Sequence, residues 1–167
     1  PYFSEGMKAT SYEIVDVLDD GIDHVVLPVG NGSLLIGMVR GYQELFETGI
    51  IRRIPKFHGV QAHAVRPVVA ALNGEQWSHD DVQPTNASGI AVSKPPRLKE
   101  MIEAIRVTGG SGVTVSEESL TEWQERLASS EGVFAEMTSS GAFAGLAQLI
   151  ESGVIERNSN VCVPITG

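Results

Sequence analysis

The 167-residue sequence contains a single cysteine, few basic residues and no long apolar segment. One cysteine cannot form a disulfide within the chain, and the apolar neighbours of Cys162, Val161 and Val163, predict a buried structural thiol. This cysteine usage is typical of a reducing compartment, so we expect a cytoplasmic protein. The longest apolar run, near 34–39, is interrupted by Gly37 and falls short of the roughly 18 residues that a membrane helix needs. We therefore expect no membrane partner.

Basic charge is scarce as well, because 12 Lys and Arg residues stand against 21 Asp and Glu residues, a formal net charge of −9. Nucleic acids and anionic lipid surfaces repel such a chain unless it carries a local basic patch. The densest basic cluster, Arg52, Arg53 and Lys56, is predicted to lie in a solvated turn. We therefore expect no nucleic-acid partner, and we expect any bound anion to be held by backbone amides rather than by a basic clamp.

Short β-branched runs alternate with longer amphipathic runs, the pattern of a parallel sheet covered by helices. The predicted helices cover 10–18, 33–48, 65–72, 97–107, 117–130 and 140–151, and the predicted strands cover 24–29, 57–62, 113–115 and 161–165. The polar stretch 73–96 is interpreted as an excursion within one domain. The predicted fold class is α/β: three-layer, doubly wound, with a mostly parallel sheet and helices on both faces, formed by residues 1–167 as a single domain.

The most informative segment joins the first predicted strand to the helix 33–48 and contains Gly30, Asn31, Gly32, Ser33 and Leu34. Unpaired backbone N–H groups and the positive end of the helix dipole meet at such a turn, and glycines let the backbone approach an anion closely. The segment therefore predicts a site for a phosphate. A tight strand-to-helix turn without a ligand is the alternative, to which we give equal weight.

The glycine spacing narrows the choice of phosphate ligand. In the dinucleotide fingerprint a third glycine follows closely, whereas here Gly30 and Gly32 are followed only by Gly37. The acidic residue that would bind a ribose falls near 50–54, where Arg52 and Arg53 stand instead. The nucleotide P-loop pattern fails too, because no Gly-Lys-Ser/Thr follows. A small ligand with a single phosphate fits better than a dinucleotide.

A set of short segments, spread in order along nearly the whole chain, carries a further signal. They are Leu27–Leu34, Gly41–Leu45, Gly49–Ile51, Ile54–Pro55, Gly59–Ala62, Ser116–Glu118, Glu131–Glu136 and Ser139–Ala142. In this combination the chain resembles threonine synthase and its relatives among the fold-type-II (tryptophan synthase β-like) pyridoxal-phosphate enzymes. The order of the segments is the specific feature, since none of them is strong alone.

The resemblance implies pyridoxal 5′-phosphate as the cofactor. Residues 30–34 match the loop that binds the cofactor phosphate through backbone amides, and Thr166 matches the hydroxyl residue that faces the pyridine nitrogen. A neutral hydroxyl leaves the ring less cationic than a carboxylate would, which suits β-elimination or β/γ-replacement. The alternative for Thr166 is the plain end of a strand. The resemblance also implies a small-molecule amino-acid substrate and a homodimer of the full-length protein.

Two other polar residues are candidate substrate contacts. Gln61 ends a predicted strand, the side on which open α/β sheets bind ligands, although hydrogen bonding to a neighbouring loop is an equally weighted role. Glu136 lies in a segment that resembles the family's Glu-Pro-x-Ser segment near the cofactor, with Met137 in place of the proline. The alternative there, which we prefer slightly, is a plain helix start with Thr138 or Ser139 as the N-cap.

The chain departs from the family at the catalytic nucleophile. The family's Schiff-base lysine lies in a Ser-Phe-Lys-Asp-like segment before the matched region, and no such segment occurs here. The lysines present, Lys8, Lys56, Lys94 and Lys99, stand in unsuitable contexts. We therefore expect no catalytic residue in residues 1–167, which we interpret as the C-terminal part of the large domain, inactive without the small domain and the lysine segment.

Metal chemistry is not predicted, because His24, His58, His63 and His79 lack the spacing of metal ligands and are expected to be structural or solvated. The predicted function is the cofactor-binding part of a pyridoxal-phosphate-dependent amino-acid lyase or synthase of the threonine synthase type. Two alternatives stay open: a threonine dehydratase-like deaminase with the same fold, and a noncatalytic phosphate- or nucleotide-binding module.

Overall fold

A parallel four-stranded sheet lies at the centre of the computed structural model, which describes residues 2–18 and 21–167. The elements follow in the order α1 (Tyr2–Gly6), α2 (Lys8–Leu18), β1 (His24–Pro28), α3 (Ser33–Glu47), β2 (Lys56–Ala62), α4 (Pro67–Asn73), α5 (Leu98–Val107), β3 (Gly112–Val115), α6 (Glu117–Glu131), α7 (Met137–Glu151) and β4 (Val161–Cys162). Two short 3₁₀ turns, His79–Asp81 and Ser88–Ile90, lie within the excursion between α4 and α5. The α/β class with a parallel sheet and helices, predicted from the alternation of runs, is confirmed.

The strand order is β3-β2-β1-β4, so the chain moves outward from β1 to β3 and then returns to the other side of β1. Each adjacent pair is parallel; Val25 pairs with Phe57 and with Cys162, and Val60 pairs with Val113. Such a reversal of direction is the topological switch point of a doubly wound fold. It lies between β1 and β4, and this position matters for the site.

The two faces of the sheet bury separate apolar layers because successive side chains of a strand point to opposite faces. Val25 and Leu27 pack with the cluster formed by α2, α3 and α5, whereas Val26 and Val60 pack with the cluster formed by α6 and α7. Strands that are buried on both faces have continuous apolar sequences, which explains the run Val25–Val29.

Several local predictions need correction. The last helix begins at Met137, three residues earlier than predicted, and its N-cap is Glu136 rather than Thr138 or Ser139. The last strand covers only Val161–Cys162. Cys162 is half-buried rather than fully buried, because it lies on the edge strand; burial raises the pKa of its thiol.

Two buried histidines form a hydrogen-bonded pair near the amino ends of β1 and β2. Nδ1 of His24 lies 2.9 Å from Nε2 of His58, and the backbone N–H of Ser111 donates to Nδ1 of His58 over 3.2 Å. Because this Nδ1 accepts, the proton of a neutral His58 is on Nε2 and points at His24. Burial, together with the nearby His24 and Lys56, lowers the pKa of His58 to about 4, and burial likewise lowers the pKa of His24.

We expect this pair to make the fold acid-sensitive between pH 6.5 and about 4. The unfolded chain takes up the protons near pH 6.5 and the folded chain does not, so stability present above that pH is lost as the pH falls. The contribution of His58 reaches up to about 3 kcal/mol. Urea unfolding across this range measures it. His58→Asn, whose side-chain oxygen can accept from Ser111, should flatten the slope, and an unchanged slope would contradict the assignment.

Among the described residues, no helix is both long and apolar enough to cross a membrane.

Candidate functional site

The predicted phosphate loop lies at the switch point of the sheet, where open α/β folds bind their ligands. It follows the carboxyl end of β1, and the segment that contains Thr166 follows the carboxyl end of β4, the neighbouring strand. The topology therefore brings together two predicted cofactor contacts that are far apart in the sequence.

Gly32 shapes the loop. It is the N-cap of α3 and has a φ of 77°, a left-handed conformation that favours glycine. A Cβ at this position would also overlap the side chain of Met101. No side chain caps the 15-residue helix α3, so its first-turn N–H groups are available to a ligand. Gly32 itself is buried, whereas Asn31 is exposed and Ser33 and Leu34 are partly exposed, which leaves one side of the loop open.

The excursion between α4 and α5 covers another side of the loop. A Cβ at Gly30 would lie 2.8 Å from the carbonyl oxygen of Gly89, so the backbones approach closely at this point. The N–H of Gly89 in turn donates to Oγ1 of Thr138, in the first turn of α7, over 3.2 Å. The sequence predicts the stretch 73–96 as an excursion but does not predict that it approaches the loop. The only sequence signal for this close approach of two backbone segments is the pair of small neighbouring residues Ser88 and Gly89.

Thr166 is held at the start of α7. Its backbone N–H donates to Oγ of the buried Ser139 over 3.3 Å, and its side chain is exposed. Beside it, the N–H of Glu136 donates to the carbonyl of Gly167 over 3.0 Å, and the Glu136 side chain is also exposed. Contacts through Gly89 and α7 thus connect Thr166 with Gly30.

Gln61 is completely buried, and its side chain hydrogen-bonds to the backbone just before the loop. Its Oε1 accepts from the N–H groups of Val68 and Val69 over 2.8 and 3.1 Å, and its Nε2 donates to the carbonyl of Val29 over 3.1 Å. The role of a strand-end residue that hydrogen-bonds to neighbouring backbone accounts for all of these contacts. Gln61 therefore positions the residue next to Gly30 and the first turn of α4.

One basic side chain lies beside the loop, although the net negative charge led us to expect backbone amides rather than a basic clamp to hold an anion. Nη1 of the half-buried Arg97 lies 3.3 Å from Oγ of Ser33 and also donates to Oγ of Ser4. Arg97 precedes α5 in the chain and is separated from Ser33 by 64 residues. No sequence pattern connected the two residues, so only the folded chain identifies this neighbour.

The four lysines, Lys8, Lys56, Lys94 and Lys99, differ in their surroundings. Lys8 forms ion pairs with Glu44 and with Glu5, which raise the pKa of its ammonium group. Lys56 opens β2 at the opposite, amino edge of the sheet. The side chains of Lys94 and Lys99 are exposed. In the described part of the chain there is also no cluster of three or more His, Cys, Asp or Glu residues that could hold a metal ion.

Comparison with known proteins finds a family model and related sequences that match this chain. Residues 1–167 match the family model described as "Pyridoxal-phosphate dependent enzyme". The chain is 34% identical to a threonine synthase from Methanocaldococcus jannaschii and 35% identical to one from Methanosarcina acetivorans, with 100% of this chain and 42% of each relative aligned. It therefore spans less than half the length of these curated relatives.

The fold is also found in solved structures. A fungal L-serine ammonia-lyase from Rhizomucor miehei superposes with a TM-score of 0.77 at 19% identity, over 95% of this chain and 49% of that protein. At this identity the likeness shows the shared fold alone.

Proposed function

Because this chain belongs to the family of pyridoxal-phosphate dependent enzymes, we propose that it is the cofactor-binding part of an amino-acid lyase or synthase of the threonine synthase type. The observation that carries the proposal is the start of α3 at Gly32, which no side chain caps and which is exposed at the neighbouring Asn31. Contacts through Gly89 and α7 connect this helix start with Thr166. Sequence identities of 34% and 35% to two threonine synthases, aligned over the whole of this chain, support this type of reaction.

The loop residues fit a phosphate group. The amides of the loop and of the first turn of α3 supply donors, and the helix dipole favours negative charge at this end. A side chain at Gly30 would clash with the backbone of Gly89, and a side chain at Gly32 would clash with Met101. We therefore assign Gly30, Asn31, Gly32, Ser33 and Leu34 to the cofactor phosphate.

The remaining residues orient the other end of the cofactor. Pyridoxal phosphate, when bound, supplies an electron sink for negative charge at the substrate Cα. Thr166 would face its pyridine nitrogen with a neutral hydroxyl, and Ser139 fixes the Thr166 backbone. The exposed Glu136, two residues from a buried hydroxyl cluster at the start of α7, is the candidate substrate contact. Gln61 acts indirectly, by holding Val29 below the loop.

We assign residues 1–167 to the C-terminal part of the large domain. The nucleophilic lysine and the small domain would then come from sequence outside these residues, which agrees with a chain that spans 42% of its relatives. The residues of this chain would bind and orient the cofactor, and they would show no turnover by themselves. A full-length homodimer in the cytoplasm, acting on a small amino acid, completes the proposal.

Deamination is the competing reaction, because the resemblance seen in the sequence extends to threonine dehydratase-like enzymes with the same fold. The full-length enzyme separates the two reactions by its product: formation of threonine supports the synthase, whereas consumption of threonine or serine with release of ammonia supports the deaminase. A nucleotide-binding module would be indicated instead by tight binding of adenine nucleotides at residues 30–33.

Binding of pyridoxamine 5′-phosphate tests the phosphate site directly. This compound keeps the phosphate but has an amine in place of the aldehyde, so it cannot form a Schiff base with surface lysines. We expect Asn31→Asp to weaken binding at least about a hundred-fold, because two charges about 5 Å apart repel by about 3 kcal/mol at an effective dielectric of about 20. Isothermal titration calorimetry measures the loss.

The matched control is Asn158→Asp, an exposed substitution near the opposite, amino edge of the sheet. It adds the same charge and should leave the affinity unchanged. Equal affinity of the parent chain and Asn31→Asp would contradict the assignment of the loop, as would equal losses in the two variants.

A further inference from the structure

Arg97 is a half-buried cation beside the phosphate loop. Among the described residues, its Nη1 donates hydrogen bonds to two hydroxyl groups, those of Ser4 and Ser33. Within residues 2–18 and 21–167, no carboxylate lies within ion-pair distance of Arg97, although the chain has 21 acidic residues. By contrast, Arg53 and Arg66 each pair with an acidic side chain.

The surroundings of Arg97 are electropositive. Ser33 is the first residue of α3, and Arg97 is itself the N-cap of α5. Met101, one turn into α5, packs against Gly32, so the starts of both helices lie at the loop. Each helix start carries partial positive charge. A guanidinium held here without a carboxylate is unfavourable unless an anion neutralises it.

We propose that Arg97 binds the cofactor phosphate together with the loop amides and Ser33. This inference rests on the proposed function, because it takes the loop to be the phosphate site. The guanidinium suits the role, since its planar donors match phosphate oxygens and its charge persists at any physiological pH. Ser4, which is buried on α1, then acts as a positioning residue that holds Nη1 next to Ser33.

The test compares pyridoxamine 5′-phosphate with pyridoxamine, which lacks the phosphate, on the 167-residue chain. We expect Arg97→Gln to weaken binding of the phosphorylated compound about ten- to a hundred-fold, the range for a lost charge-assisted hydrogen bond, and to leave pyridoxamine binding unchanged. Inorganic phosphate, used as a competitor, should lose affinity in parallel. Arg97→Lys keeps the charge without the planar fork and should restore part of the affinity.

Two control variants separate a binding role from a structural one. Arg106→Gln removes the same charge from the exposed far end of α5 and should have no effect on binding. Ser4→Ala removes the other partner of Nη1, and a loss of at most a few-fold is expected. Thermal unfolding of each variant shows whether it is folded, and Arg97→Lys keeps the test informative if Arg97→Gln is not.

The outcomes distinguish this inference from the proposed function. If the parent chain binds neither pyridoxamine 5′-phosphate nor phosphate, the phosphate site is wrong and the role of Arg97 fails with it. If the parent binds and folded Arg97→Gln binds equally well, only the role of Arg97 is overturned. Equal losses for the phosphorylated and unphosphorylated compounds would also overturn that role, because they would show an effect on the fold.

Discussion

Replacement of Gly110 by alanine is expected to lower the free energy of unfolding by more than about 4 kcal/mol. Gly110 lies just before β3, and a Cβ there would overlap the carbonyl oxygen of Phe57 on β2. Backbone cannot move aside as a flexible side chain can, so β3 would have to separate from β2. The N–H of Gly59 would then lose its bond to the carbonyl of Ser111. Urea unfolding followed by circular dichroism measures the change.

The neighbouring Gly109 provides the control. It has a φ of 71°, and nothing lies within 4 Å of a Cβ built on it. Gly109→Ala should therefore cost only about 1 kcal/mol, the strain of a left-handed alanine. Similar urea midpoints for Gly110→Ala and the parent chain would show that the close approach of the β2 and β3 backbones is wrong.

Substitution of Gln61 by leucine is expected to destabilise the fold by about 3–5 kcal/mol. Leucine has a similar size but leaves two N–H groups, of Val68 and Val69, and the carbonyl of Val29 without their buried partner. Each unsatisfied buried group costs about 1–3 kcal/mol. Because Val29 precedes Gly30, we also expect weaker binding of pyridoxamine 5′-phosphate at temperatures where the variant is still folded.

Gln83→Leu is the matched substitution at an exposed position and should change stability by less than about 0.5 kcal/mol. If Gln61→Leu were as stable as Gln83→Leu but failed to bind substrate in the full-length enzyme, Gln61 would be a substrate contact and not a support for the loop. Urea unfolding and substrate affinity together therefore decide between the two roles weighed for this residue.

The part of the candidate site that the sequence predicts, the turn before α3, follows from the pattern of neighbouring residues. A strand, a glycine-containing turn and a helix follow one another within residues 24–47, so the start of α3 could be located from that stretch alone. The same reasoning was less accurate at α7, where small and hydroxyl residues continue the helix back to Met137. Thr138 and Ser139 are residue types that often cap helices. In the folded chain both are buried, and their hydroxyl oxygens accept hydrogen bonds from the backbone N–H groups of Gly89 and Thr166.

The sequence by itself determined the order of the strands and of helices α2 to α7, the parallel α/β class and the turn that leads from β1 into α3, because these follow from periodicity and from backbone requirements of neighbouring residues. Helix α1 was not predicted. The tertiary structure alone decided which distant residues meet that loop. Arg97 reaches Ser33 across 64 residues, and Gly89 reaches Thr138 across 49. Such contacts depend on how α5 and α7 pack against the sheet, and packing of separate elements leaves no periodic signal in the chain.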